Sequence, residues 1–89
     1  MNYIIKRTDT FVKTAQKFFK RHPELIDKFK DIITKMEENP FEVGLKTHKL
    51  KGNLKYKYGV SLNYTYRITI AIQEKEVILL DIGPHDAVY

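Results

Sequence analysis

Cysteine is absent from this 89-residue chain, and so is tryptophan. Without cysteine there is no disulfide scaffold, no thiol nucleophile and no Cys-ligated zinc or iron–sulfur site. Such a chain is compatible with a reducing cytosol. Long apolar runs are also missing. None exceeds about five residues, too few for a membrane-spanning helix. The stretch Met1–Arg7 lacks the basic-then-apolar pattern of a signal peptide. There is no glycine-rich phosphate loop, no H-E-x-x-H and no EF-hand loop. The three histidines share no metal-ligand spacing. No metal, no cofactor and no membrane contact are expected.

Acidic residues are missing from one long stretch. Between Glu42 and Glu74 there is none, whereas Lys46, Lys49, Lys51, Lys55, Lys57 and Arg67 all fall there. The other positions hold 10 basic and 11 acidic residues, so the net charge of +5 arises within about a third of the chain. A solvated basic loop is one reading. A surface for a polyanion, either phosphate backbone or an acidic protein, is the other.

The hydrophobic fraction of 43% supports one modest core. The length fits a single domain over 1–89, which buries roughly 60–65% of its unfolded surface. Tyr3–Arg7 reads as a first strand. Thr8-Asp9 can cap a helix whose stripe is Phe11, Val12, Ala15, Phe18 and Phe19. Lys13, Lys17, Lys20 and Arg21 fall on its wet side. His22-Pro23 breaks it and starts a second helix with Leu25, Ile26, Phe29, Ile32, Ile33 and Met36, ended by Asn39-Pro40. So tight a junction predicts an αα-hairpin.

Phe41–Leu54 is a basic connector. The period then becomes two. Tyr56, Tyr58, Val60 and Leu62 alternate with Lys57, Gly59, Ser61 and Asn63. Past a turn at Asn63-Tyr64-Thr65, Tyr66, Ile68, Ile70 and Ile72 alternate with Arg67, Thr69 and Ala71. Gln73–Glu76 is a polar turn. Val77–Ile82 is almost continuously apolar, as in a strand covered on both sides, and Gly83-Pro84 ends it. The expectation is an α+β domain of order β-α-α-β-β-β, a small antiparallel-rich four-stranded sheet with a helix hairpin on one face. The opposite face receives Lys57, Gly59, Ser61, Asn63, Arg67 and Thr69, a shallow positive surface.

Three side chains on or near that face are candidates to carry chemistry. His85 follows the Gly-Pro break with Asp86 and Tyr89 close in sequence; a histidine gives or takes a proton near neutral pH, although an ordinary turn histidine reads the same way. His48, within Lys46–Lys51, suits phosphate contact or a solvated loop. Arg67 sits in an apolar strand on the face away from the core, where its fork fits a phosphate or a cross-strand carboxylate. His22 reads as structural. Tyr58 and Tyr66 read as core, leaving Tyr64 and Tyr89 as candidates for stacking on bases.

This element order, with Lys49-Leu50-Lys51-Gly52, Tyr64-Thr65-Tyr66-Arg67-Ile68 and the terminal Leu80–Tyr89, resembles the RelE/ParE toxin superfamily over essentially the whole chain. The RelE/YafQ-like branch is the nearest likeness. Its most specific piece is the ending I-G-x-H-[DN]-x-[VL]-[YF]. The resemblance implies a cytoplasmic toxin of a type II toxin–antitoxin system, a ribosome-dependent mRNA endonuclease. It would act through the RNA 2′-hydroxyl by acid/base catalysis without metal. It implies His85 as acid/base, His48 as the loop histidine, Arg67 on phosphate charge, Tyr89 on a base or the nucleophile, and Asp86 beside the histidine. Lys46, Lys49, Lys51, Lys55, Lys57 and Ser61 would line the RNA. The implied partners are the ribosome, mRNA and a cognate acidic antitoxin in a hetero-oligomer. The antitoxin is expected on the 43–73 surface or against an element near the C-terminus. The chain departs from its relatives in the strand before Tyr66-Arg67. RelE proper has basic residues there, and YafQ-like members often a histidine and an aspartate. Here Gly59, Ser61, Asn63 and Thr65 stand instead. A non-catalytic or gyrase-directed ParE-type toxin and a plain basic RNA-binding domain are the alternatives.

Overall fold

The structure, a computed structural model, describes residues 2–50 and 56–84. Its elements are β1 (Ile4–Arg7), α1 (Asp9–Arg21), α2 (Ile26–Glu38), β2 (His48–Lys49), β3 (Lys57–Ser61), β4 (Tyr66–Gln73) and β5 (Glu76–Pro84). The α+β class and the order of the longer elements are those expected. The strand count is five rather than four. His48–Lys49, expected within a connector, pairs antiparallel with β3, His48 opposite Gly59 and Lys49 opposite Tyr58. Two residues are too few to display a period.

Thr8 has extended backbone and its hydroxyl accepts the Phe11 N–H at 3.0 Å, satisfying one orphan donor of α1. Asp9 in the first turn and Lys20 and Arg21 in the last oppose the helix dipole. The helix stops at His22, whose N–H still reaches the Phe18 carbonyl. Pro23 then opens a 3-10 turn, Pro23–Leu25, that leads into α2. Phe29 of α2 stacks on Phe11 at 6.1 Å and meets Phe19 at 5.1 Å, which closes the helix pair. No helix among the described residues is long and apolar enough to cross a membrane.

The strand order is β1-β5-β4-β3-β2. β1 lies parallel to β5, and every other pair is antiparallel. The helices cross from one edge and cover one face, α1 against β5 and α2 against β1. Phe11, Ala15, Ile32 and Met36 meet Val60, Leu62, Ile68, Ile70, Val77, Leu79 and Ile82 in one core. Burying each of the larger side chains stabilises the fold by about 1.5–3 kcal/mol.

Two expected strand ends move. Tyr56 was expected to open the apolar face of β3; instead it precedes the strand at φ 65°, with its ring 61% exposed. Pairing in β5 continues through Gly83 and Pro84, opposite Arg67 and Tyr66.

β5 also contains a bulge. Ile70 opposes Leu79 and Thr69 opposes Asp81, so Leu80 has no residue opposite it on β4. Strict alternation would put Leu79 and Ile82 on opposite faces. The extra residue lets both enter the core and turns Asp81 to the other face.

Candidate functional site

Residues opposite one another in a sheet share a face. On the face away from the helices, register therefore builds one row of His48, Gly59, Thr69 and Asp81 and a second of Ser61, Arg67 and Gly83. Lys57 lies on the same face, opposite Ala71. The sequence-predicted His48, Lys57, Ser61 and Arg67 are thus brought together. Lys49 is not. It opposes Tyr58, which places it toward the helix side at the sheet edge.

Arg67 corrects one expectation. It lies on the predicted face but is only 2% exposed, where an open, solvated patch was expected. Its stem lies back across β3. A Cβ on Gly59 would stand 2.8 Å from Arg67 Cδ and 3.1 Å from Nε, and 3.2 Å from His48 Cε1. The arginine and the histidine therefore converge over Gly59, which has no side chain to hold them apart. Thr69, in the next row position, is buried as well.

His48 is exposed, and its Nδ1 lies 3.1 Å from the Lys46 carbonyl. A carbonyl only accepts, so Nδ1–H donates when the ring is neutral, and Nε2 keeps the lone pair. Lys46 reaches that position in the left-handed conformation, at φ 51°, as the exit from the 3-10 turn Val43–Leu45. The Thr47 hydroxyl donates to the Pro40 carbonyl and fixes the connector from below. The Ser61 hydroxyl donates to the Asn63 carbonyl at 3.1 Å, and the Asn63 side chain accepts the N–H groups of Thr65 and Tyr66 at 2.9 and 2.8 Å. The turn beside Arg67 is thereby rigid, and it holds Tyr64 fully exposed at its tip.

Gly59 and Thr69 were assigned to this face by alternation but given no role there, and Asp81 escaped sequence reading. Asp81 had a visible signal, a lone carboxylate inside an apolar run; its Oδ1 accepts the Ile82 N–H at 2.9 Å. His22 packs against Phe18 and Tyr66 at 4.7 and 4.8 Å, the structural role expected. His85, Asp86, Tyr89, Lys51 and Lys55 lie outside the described residues. Among the described residues, no three His, Asp or Glu side chains converge as a metal site. Two depressions of about 650 and 340 Å³ among the described residues lie elsewhere; at the converging pair His48 is exposed while Arg67 is buried beneath it.

No protein-family model matches the chain, and no curated protein sequence matches it. Solved structures do. The DinJ–YafQ toxin–antitoxin complex of E. coli is 20% identical, with 100% of this chain and 99% of that one covered at a TM-score of 0.83. A YoeB–YefM complex from Staphylococcus aureus is 17% identical, covers 96% and 99%, and has a TM-score of 0.76. A YoeB/ParE toxin from Agrobacterium tumefaciens is 17% identical, covers 91% and 97%, and has a TM-score of 0.75. The chain is built on the RelE-like fold that these toxins share.

Proposed function

We propose that this protein is the toxin of a type II toxin–antitoxin system and a ribosome-dependent mRNA endonuclease. The observation that carries the reading is the meeting of His48 and Arg67 over Gly59, beside Ser61, within the stretch that holds the chain's excess positive charge. The likeness in fold to toxins solved with DinJ and YefM supports it.

The chemistry is transesterification. A base takes the proton of an RNA 2′-hydroxyl, and O2′ bonds to the adjacent phosphorus. The bond from phosphorus to O5′ breaks, and an acid protonates O5′. The products are a 2′,3′-cyclic phosphate and a 5′-hydroxyl. His48 presents Nε2 as the proton acceptor, and His85 is the second proton-transfer group. Arg67 carries the charge that grows on the phosphorane oxygens; its burial strengthens that attraction over what water would allow. Lys46, Lys49, Lys51, Lys55 and Lys57 attract the backbone, with Asp86 and Tyr89 orienting groups around His85. The reaction needs no cofactor. The protein acts in the cytoplasm, and its partners are the ribosome, mRNA and an acidic antitoxin that pairs the basic surface.

The test is in vitro translation with purified protein and primer extension across the message. Wild type should cut, and His85→Ala and His48→Ala should each lose about 10²–10⁴ in rate. His48 is exposed, so its variant keeps the fold. A wild-type protein that cuts no message, with or without ribosomes, refutes the reading and leaves the ParE-type or RNA-binding alternative.

A further inference from the structure

Gly59 sits at the centre of β3, where glycine weakens a strand and no turn requires it. Its φ is not in the left-handed range, so its backbone conformation does not demand glycine. Space does. An added Cβ would come within 2.8 Å of Arg67 Cδ, a distance real Cβ atoms do not adopt, and within 3.1 and 3.2 Å of Arg67 Nε and His48 Cε1. An exposed side chain would swing away. Arg67, at 2% exposure, cannot swing out into solvent and can only be displaced within its packing.

We infer that Gly59 is a positioning residue: its bare backbone is the floor across which Arg67 lies, and this sets the distance between the guanidinium and His48. The inference rests on the proposed RNA cleavage and adds to it how the phosphate is seated. The charge that faces the phosphate comes from one arginine laid flat across a neighbouring strand. The strand beneath it contributes a gap rather than a charge. Any side chain at position 59 lifts the arginine, and with it the point where the phosphate sits relative to His48 Nε2. A displacement of about 1 Å costs on the order of 10² in rate.

A double-mutant cycle tests this. Gly59→Ala should cut ribosome-bound message about 10²-fold more slowly while melting as a folded protein. In an Arg67→Ala background the same change should alter cleavage by less than about threefold, because Cδ and Nε are gone. Equal losses in both backgrounds, or a fully active Gly59→Ala protein, overturn the inference. A second measurement holds if Arg67→Ala fails to fold. The chain has only three arginines, Arg7, Arg21 and Arg67, so the Nε–H signals are easily assigned by NMR. Gly59→Ala should move the Arg67 signal in the free protein. RNA carrying a 2′-deoxy group at the scissile nucleotide should shift that signal in wild type and not in the variant. An unchanged Arg67 signal in Gly59→Ala overturns the inference even if the wild type cuts nothing, an outcome that would refute only the proposed activity.

Discussion

Tyr64 separates recognition from stability more cleanly than any other side chain of the surface. Its ring is 100% exposed, so its removal uncovers nothing. The turn that carries it is held by the Asn63 side chain and by the Leu62 N–H to the Tyr66 carbonyl at 3.0 Å, neither of which involves the ring. Tyr64→Ala should therefore change stability by no more than about 0.5 kcal/mol. At about 4–8 °C per kcal/mol for a domain of this size, the melting temperature moves by at most about 4 °C. Binding is another matter. Tyr64 is three residues from Arg67 and so at most about 11 Å away along the chain, within reach of a base next to a phosphate placed at Arg67 as proposed. Stacking on a ring contributes about 1–3 kcal/mol per base, which converts to a loss of roughly 5- to 150-fold in affinity. The assay is fluorescence anisotropy with a short, uncleavable 2′-deoxy-substituted RNA at several salt concentrations. Tyr64→Ala should bind more weakly by a constant factor at every salt, because stacking releases no counterions. Tyr64→Phe should bind as wild type does. Affinity of Tyr64→Ala within twofold of wild type, or a Phe variant as weak as Ala, refutes the reasoning.

Three further outcomes are expected. Deleting Leu80 removes the bulge but leaves every other β5 residue on its present face, so it should cost only the burial of a half-exposed leucine, about 1 kcal/mol; deleting Ile78 flips its neighbours, drives a polar residue toward the core and should unfold the domain. Comparable urea midpoints for the two deletions would contradict the register described. Met36→Ala empties a fully buried position on α2 and should lower the unfolding free energy by about 2–5 kcal/mol in a denaturant titration. Lys49→Ala should reduce the slope of log affinity against log salt for single-stranded RNA by about 0.7; an unchanged slope removes that lysine from the interface.

The helix pair could be read from the sequence because its signals are local. Thr8, the Phe11–Phe19 stripe and His22-Pro23 act within a few residues of one another. Alternation likewise assigned Ser61 and Arg67 to one face. It could not say that Arg67 is buried there, since a period specifies direction and not what lies above the side chain. β2 was missed because its two residues owe their conformation to β3 rather than to their own sequence. The bulge was hidden by composition. A run as apolar as Val77–Ile82 looks the same with or without an extra residue, and only Asp81 marks which face must be polar. Gly59 read as a vacancy among basic positions. Its purpose becomes visible only when a residue from the next strand is seen lying across it.

The place of β5 has a consequence for how the chain assembles. It comes after the other four strands in chain order, yet it lies between β1 and β4 and is the sole link between them. Ile4 waits for Glu76, about 70 residues downstream, before β1 has any strand to pair with. Until β5 forms, the chain holds a solitary strand, a helix pair and a separate β4-β3-β2 ribbon, with Val77, Leu79 and Ile82 missing from the core. Each of these pieces lacks the partners that complete its part of the core. Such distant pairing gives a high contact order and a slow, all-or-none transition. During vectorial synthesis the domain passes through no stable half-folded stage, and a nick at the Glu74-Lys75 turn before folding would leave two fragments with no native structure.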